Sequence, residues 1–545
     1  MRPVPGRCGA PTINSIHPAP KVTSLANNNR AQIGLGSTIG FGRVISAHRK
    51  MLLQGSACTL AALIAVCPSF AAGSAPSAQS PDACLPMAMP AADVLFNSPR
   101  KIFAHYFYVF PLSIDNKPAA QDYYNTQHLN KNGESGKWSR QGGYLRQRPL
   151  GVPVSSDRNW RLLNMETEVR MAIARGITGF TIDVLSVKEA TDDNSHLHLL
   201  LRAAHEVDPR FKILVMPDIA QFKTDADSVT KIIASVAKDP AAYTLADGRL
   251  VVTAFHAGAN SPEWWSSILN QLSAQGIKVA FVPTFLGWRD KATAFADLSY
   301  GFADWGTATP GGARGMQADP AAAHAIKGKL YMMPVDPQQY RPKDPVIWEA
   351  GNSEAFRSAW TSAITGGADW VQIVTWSDLS ESSQIEPYTD ATLARDIGTG
   401  YYNLNGYYSA WFLTGQQPAI THDVLYYFYR REPSNAASPA QSLPIRVTSG
   451  SAEDDIELVA FLTAPGTLKI TIGQRDFVQD APAGITSFKV PLQPGVPVFS
   501  VMRKGSSVFS FKGGVQIYGT GGIPSGVLDL TYWSGSASRS GSCSL

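Results

Sequence analysis

Between residues 101 and 378 the chain lays down eight short apolar runs, each parted from the next by a longer segment. The runs are KIFAHYFYV (101–109), GFTIDVL (179–185), FKILVMPD (211–218), RLVVTAFH (249–256), KVAFVPTF (278–285), YGFADWG (300–306), KLYMMPVD (329–336) and WVQIVTWSD (370–378). Most are too continuously apolar for strands wetted on one side, so both faces are covered. The intervening segments carry helical spacing. Met165, Val169, Ala172 and Ile173 recur at i, i+4, i+7 and i+8, and Val229, Ile232, Ile233 and Val236 form a second such face. Ser261-Pro262 and Asp319-Pro320 are cap-then-proline helix starts, and Phe356, Trp360 and Ile364 mark the helix before the last run. Strand–helix alternation repeated eight times predicts an α/β fold of one kind, a (β/α)8 TIM-like barrel over 100–420. An open doubly wound sheet is the competitor, but no G-x-G-x-x-G follows the first run and no Walker-type loop occurs.

After residue 400 the pattern changes. YYNLNGYYSAWFLTG reads as a closing aromatic helix, and VLYYFYRREP (424–433) as a strand. Short strands follow from Asp454, with Leu468, Ile470 and Ile472 alternating with polar partners. A small C-terminal antiparallel β-sandwich is predicted over 421–520, and 521–545 reads as a flexible tail unless Cys543 pins it.

The first 80 residues read as something other than fold. His48, Arg49 and Lys50 precede an apolar run, and Ser69 and Ala71 stand at −3 and −1 of a cleavage site at 71/72. That is the pattern of a secretory signal peptide. It lies unusually far in, which suggests either that Val44 or Met51 is the true start or that the amino-terminal region is extended. The expected product is secreted, extracellular or periplasmic, with no stable membrane insertion after cleavage. It keeps two cysteines, Cys84 and Cys543, which pair across the termini or stay free.

A net charge of +4 without a dense basic block argues against nucleic acid as a partner. The 12 Trp, 19 Tyr and 23 Phe suit a sugar-binding protein, although core packing accounts for most of them. In a (β/α)8 barrel the carboxyl ends of the strands share one mouth. His105 lies in the first run, Asp183 near the end of the second, Asp218 ends the third and His256 the fourth. Asp304 and Trp305 end the sixth, Asp336 ends the seventh, and Trp376, Asp378 and Glu381 close the eighth. Two carboxylates at one mouth suit glycoside hydrolysis: one protonates the leaving oxygen and the other activates water or attacks the anomeric carbon. Their separation, roughly 5–5.5 Å for retention and roughly 6.5–9.5 Å for inversion, is left open by the D-x-x-E spacing. An apolar neighbour such as Trp376, or a second carboxylate such as Asp183, would keep the acid protonated. Metal catalysis lacks ligand spacing, since no H-E-x-x-H occurs, and neither metal nor cofactor is expected. G-x-S-x-G is also missing.

KIFAHYF, GITGFTIDV, YMMPVDP and above all WVQIVTWSDLSES resemble glycoside hydrolase family 71, the endo-α-1,3-glucanases or mutanases. The last segment is similar to the family's Trp-Asn-Asp-x-x-Glu-Ser signature, with Ser377 in place of asparagine. The resemblance runs from Lys101 to Lys512. It implies a barrel plus β-sandwich, hydrolysis of α-1,3-glucan with inversion, and Asp378 and Glu381 as the catalytic pair. His105, Asp183, Asp218, His256, Asp304, Trp305, Asp336 and Trp376 are then expected to bind or shape substrate. SQIEP after the signature and PVDPQQYRP after the seventh run depart from the family's pattern. A barrel glycosidase on another polysaccharide, or a non-catalytic glycan-binding surface protein, are the alternatives. The partner is a polysaccharide and the protein is expected to be a monomer.

Overall fold

The computed structural model describes residues 84–389 and 398–543. The expected leader, its cleavage site and the last two residues lie outside them. Eight parallel strands close into a barrel in sequential order: β1 (Lys101–Tyr106), β2 (Gly179–Val184), β3 (Lys212–Pro217), β4 (Leu250–Ala254), β5 (Val279–Phe285), β6 (Gly301–Asp304), β7 (Leu330–Val335) and β8 (Trp370–Ile373). The closure is the β1–β8 pairing, from Lys101 opposite Trp370 to Ala104 opposite Ile373. The predicted helices form between strands at Trp160–Ile173, Ala226–Val236, Pro262–Ala274 and Glu354–Gly366. Ser261 caps the third of these by accepting from the Trp264 N–H.

Alternation of side chains along each strand sorts the interior into layers. The lowest is apolar, with Phe103, Leu214, Val251, Ala280, Val282, Ala303, Met332 and Trp370 in one cluster. Above it, polar side chains enter the interior. Thr181 and Gln372 are fully buried, and Thr253 Oγ1 lies 2.9 Å from Thr284 Oγ1. At the top come His105, Asp183, Asp218 and Asp336, all buried. The barrel therefore becomes more polar toward its mouth.

Beyond the barrel, the helix Gly400–Thr414 leads into two antiparallel sheets. One holds β9 (Val424–Tyr429), β10 (Asp455–Leu462), β13 (Gly484–Pro491), β16 (Trp533–Ser538) and β17 (Gly541–Ser542). The other holds β11 (Gly466–Ile472), β12 (Arg475–Ala481), β14 (Val498–Arg503) and β15 (Ser506–Lys512). The expected flexible tail is corrected here: β16 is fully buried and pairs with β9 from Val424 opposite Ser538 to Tyr429 opposite Trp533. Its small residues are there for fit. A Cβ on Gly400 of the helix would lie 2.6 Å from the Ser534 Cβ, and one on Gly535 would collide with the Tyr427 hydroxyl. Cys543 closes the strand by a disulfide to Cys84, across 459 residues of sequence.

Barrel and sandwich meet through desolvated ion pairs. Arg430 is fully buried; it donates to Glu349 Oε2 at 2.8 Å and to the Leu530 carbonyl at 3.0 Å, and it sits 4.2 Å from the Tyr532 ring centroid. Arg357 donates to Glu457 Oε1 at 2.7 Å. Removing one partner of such a pair strands the other charge in the interior. Arg430→Met is expected to cost about 3–5 kcal/mol of unfolding free energy. The denaturant midpoint checks this; an unchanged midpoint would mean that the pair does not hold the two parts together.

Candidate active site

β8 ends at Ile373, and the chain then makes a loop whose two legs are bonded to each other. The Thr375 N–H donates to the Ser383 carbonyl at 2.8 Å, the Ile385 N–H to the Thr375 carbonyl at 3.0 Å and the Glu386 N–H to the Trp376 carbonyl at 3.0 Å. The Trp376 N–H donates to the His105 carbonyl at 2.8 Å, which fixes the loop to β1. At the tip, Asp378 folds its own turn. Its Oδ1 accepts from the Ser380 N–H at 2.9 Å, the Ser380 hydroxyl at 2.7 Å and the Glu381 N–H at 3.2 Å. The D-x-x-E spacing is thus the geometry of an Asp-nucleated turn, and it sets Glu381 beside Asp378.

Glu381 is held from the loop after β7. There the strands Gln339–Arg341 and Val346–Trp348 form a small hairpin. Gln339 and Arg341 stand two residues apart and so point the same way. Gln339 Nε2 donates to Glu381 Oε2 at 2.6 Å, and Arg341 pairs with Glu381 Oε1 at 2.8 Å. Lys343 Nζ reaches Ser380 Oγ at 3.4 Å. Asp378 and Glu381 are only 7% and 9% exposed, so both side chains are largely withdrawn from solvent.

Burial dominates the electrostatics. It pushes the Asp378 carboxyl up to about 6, and the Glu381 charge adds to the rise; Lys343 and Arg341 pull the other way. Asp183 is raised well above the usual carboxylate range by burial, then by Asp218, Asp378 and Glu381. Its Oδ1 is buried without a hydrogen-bond partner. Asp336 is raised by burial, then by Asp304 and Glu381, and its Oδ2 is likewise unpartnered. Gly306 has φ 93°, and a Cβ there would lie 2.5 Å from Asp336 Oδ2, so the β6 loop can pass this close only as glycine. Burial and mutual repulsion thus both favour the protonated forms of Asp183 and Asp336.

The remaining candidates divide. His105 is buried, its Nδ1 lacks a partner, and burial lowers its pKa to about 3, so it is a neutral imidazole. Its ring meets Trp305 edge-on at 4.8 Å, and Trp305 in turn meets Phe255 at 4.6 Å. Asp218 stands next to Asp183 electrostatically, but its Oδ1 caps the short helix Ile219–Phe222 through the Ala220 N–H at 2.7 Å. Asp304 spends its carboxylate on the backbone N–H groups of Gly287, Trp288 and Trp305. His256, at φ 54°, has Lys291 as its charged neighbour and stands apart from the carboxyl group. Trp376 needs correction as a sugar platform: it is 0% exposed, its ring packs on Phe180 and Tyr402, and its Nε1 donates to Glu168 Oε1 at 3.4 Å. Strict alternation from Trp370 and Gln372 would point it inward; instead the chain turns after Ile373 and the ring joins Phe180 in the main apolar cluster outside the barrel's inner layers.

Four contributors were not singled out in the sequence: Gln339, Arg341, Lys343 and Tyr144. Tyr144 lies in the long connection between β1 and the Trp160–Ile173 helix, and its hydroxyl is raised by burial and then by Asp378. The length of that connection was the available signal, since long structured loops are commonly functional. Beside it runs an open groove of about 750 Å³, between Asn130 and Arg146 on the barrel side and Tyr518 and Asp529 on the sandwich side. Leu145 lines the groove and clusters with Leu379 of the Asp378 turn. Among the described residues, no group of three or more His, Cys, Asp or Glu side chains is arranged to hold a metal ion.

Residues 153–545 match the profile of glycosyl hydrolase family 71. A glucan endo-1,3-alpha-glucosidase of Schizosaccharomyces pombe is 26% identical over 378 residues, which cover 64% of this chain and 86% of that protein. A mutanase of Penicillium rubens is 24% identical over 380 residues, 66% of this chain and 82% of that one. Among solved structures, a family 99 endo-alpha-mannosidase from Bacteroides thetaiotaomicron overlaps with a TM-score of 0.42 at 17% identity, covering 57% of this chain and 97% of that one. With the profile spanning well over half of its length, and with a closed eight-stranded barrel carrying a carboxyl pair at its mouth, the chain belongs to glycosyl hydrolase family 71 and is a glycoside hydrolase.

Proposed function

We propose that this chain cleaves α-1,3-glucan within the polymer, and that Asp378 and Glu381 carry the reaction. The observation that carries the reading is the turn itself: Glu381 donates its N–H to Asp378 Oδ1 while its own carboxylate is steered by Gln339 and Arg341. Two relatives named for endo-1,3-α-glucan cleavage support the substrate. One carboxyl gives its proton to the glycosidic oxygen as the C1–O bond breaks. The other takes a proton from the water that attacks C1 from the opposite face, so the product anomer is inverted. Asp183 and His105 offer unpartnered buried atoms to sugar hydroxyls, and Trp305 offers a ring. We further propose that the protein acts outside the cell, on a polymer too large to enter one. The leader-like pattern before residue 72 and the Cys84–Cys543 disulfide support this. No helix among the described residues is long and apolar enough to cross a membrane.

Asp378→Asn and Glu381→Gln are each expected to lower kcat on α-1,3-glucan by about 100-fold or more, with folding unchanged by circular dichroism. A reducing-sugar assay measures the loss, and NMR of the first product reads the anomer. Wild-type turnover in both variants would remove the assignment. An aryl glycoside with a good leaving group separates the roles, because only the variant lacking the acid recovers on it.

A pH profile provides an independent check. Asp378 should set a limb of kcat/KM at about 6. Activity lost above that limb marks its protonated form as the working one; activity lost below it marks the carboxylate. Arg341 holds the Asp378 value down, so Arg341→Gln is expected to move that limb to higher pH. A limb that stays in place contradicts the assignment of the titration to Asp378.

A further inference from the structure

The groove between Arg146 and Tyr518 is not used by the reaction above, yet its walls are firmly built. They come from distant parts of the chain: the connection between β1 and the Trp160–Ile173 helix on one side, and residues 518–529, between β15 and β16, on the other. Glu432 is fully buried and fixes the second wall: its Oε2 accepts from the Ile523 N–H and its Oε1 from the Asp529 N–H, both at 2.9 Å. The walls touch where Gly142, at φ 77°, meets Val527; a Cβ there would lie 2.6 Å from the Val527 methyls, so only glycine lets them approach. The groove adjoins the candidate site through two side chains. Leu145 clusters with Leu379 of the Asp378 turn. Arg146 lies 5.8 Å from the ring centroid of Tyr340, whose N–H donates to the Glu381 carbonyl at 2.8 Å and whose hydroxyl donates to the Leu528 carbonyl of the second wall at 3.1 Å.

The charged groups of the lining are largely engaged already. Arg146 donates to the Gln141 carbonyl at 2.7 Å and to the Leu528 carbonyl at 3.3 Å, and Arg431 lies 5.4 Å from the Trp533 ring centroid. Asp529 is buried, and its Oδ2 accepts from Trp533 Nε1 at 2.9 Å. Lys131 is the exposed cation of the lining. The other polar groups are neutral. Asn130 is exposed; its Oδ1 accepts from the Asn132 N–H at 2.9 Å, which leaves Nδ2 to donate. Ser525 is exposed, and Tyr518 is half-buried. We propose that the groove is a distal binding site for the glucan polymer, holding sugar units beyond those at Asp378 and Glu381. The Tyr518 ring lies against a pyranose face, and Asn130 and Ser525 bond to sugar hydroxyls. An amide, a hydroxyl and an aromatic ring suit a neutral sugar, whereas a phosphate or uronate polymer calls for uncommitted cations. The volume of about 750 Å³ falls within the range of ligand clefts, roughly 300–1,000 Å³. The sandwich thereby supplies one wall of a substrate site.

The proposal rests on the substrate assigned above, so its test separates binding from turnover. Binding is read by sedimentation of the Glu381→Gln protein, which leaves the polymer uncut, with insoluble α-1,3-glucan, starch, β-1,3-glucan or cross-linked polygalacturonate. Turnover is read with Glu381 in place, on α-1,3-glucan and on a short soluble α-1,3-linked oligosaccharide. Tyr518→Ala is expected to weaken sedimentation with α-1,3-glucan about fivefold, and Asn130→Ala about twofold. Turnover of the polymer should fall in parallel at low polymer load, while the short oligosaccharide turns over as in the wild type. Asn130 is exposed, so its variant guards against a folding defect in Tyr518→Ala. Unchanged sedimentation in both variants would overturn the proposal, as would no sedimentation with any neutral glucan. An equal loss on the short oligosaccharide, or variant-sensitive binding to polygalacturonate alone, would also overturn it. Variant-sensitive binding to starch or β-1,3-glucan, with no turnover of α-1,3-glucan, would uphold the groove as a glucan site and remove the substrate assigned above.

Discussion

The pairing of β1 with β8 is the contact on which the site depends. It closes the barrel, and it also brings the His105 carbonyl to the Trp376 N–H, the first anchor of the loop that carries both candidate carboxyls. Without closure, the ends of the first and last strands would sit at opposite edges of a sheet. The acids of β2, β7 and the β8 loop would then have no common neighbourhood. With it, the Glu381 charge acts on the buried carboxyls of Asp183, Asp336 and Asp378 together.

Desolvation and ion pairing compete there, and they act unequally on the two members of the proposed pair. Asp378 receives three neutral donors on one oxygen and is still pushed up, because burial outweighs them. Glu381 is given an arginine and an amide. A turn of four residues thus gives its two carboxyls different partners, backbone and hydroxyl donors on Asp378 and an arginine and an amide on Glu381. The cost falls on the framework: carboxyls buried without full hydrogen bonding reduce stability as they ionise. The buried Arg430–Glu349 pair and the Cys84–Cys543 bridge hold the surrounding structure together.

Much of this was legible in the residues. Each barrel strand announced itself as an apolar run, since a parallel strand covered on both faces has no polar side to break the run. The D-x-x-E turn was visible for a similar reason, because it directly follows such a run. Other features were hidden by chemistry shared between roles. Asp218 and Asp304 end strands as expected, yet they also cap backbone N–H groups, and a strand-end aspartate looks the same in sequence whichever it does. Trp376 read as a sugar platform because one residue type serves both stacking and core packing; only the outward turn after Ile373 decides between them. The strand Trp533–Ser538 read as a loose tail because serine and glycine usually mean that, whereas here the helix Gly400–Thr414 and Tyr427 leave room for nothing larger. Gln339 and Arg341 escaped notice because their effect on Glu381 comes from a hairpin whose register no local pattern announces.

The most direct test of the account is a crystal structure of the Glu381→Gln protein with an α-1,3-linked glucose oligosaccharide. The account predicts one glycosidic oxygen within hydrogen-bonding distance of position 378 or 381, with the sugar rings on either side of it and Trp305 and Asp183 in contact with the chain. An oligosaccharide seated only in the groove between Arg146 and Tyr518, with no sugar in reach of Asp378 or Glu381, would contradict it.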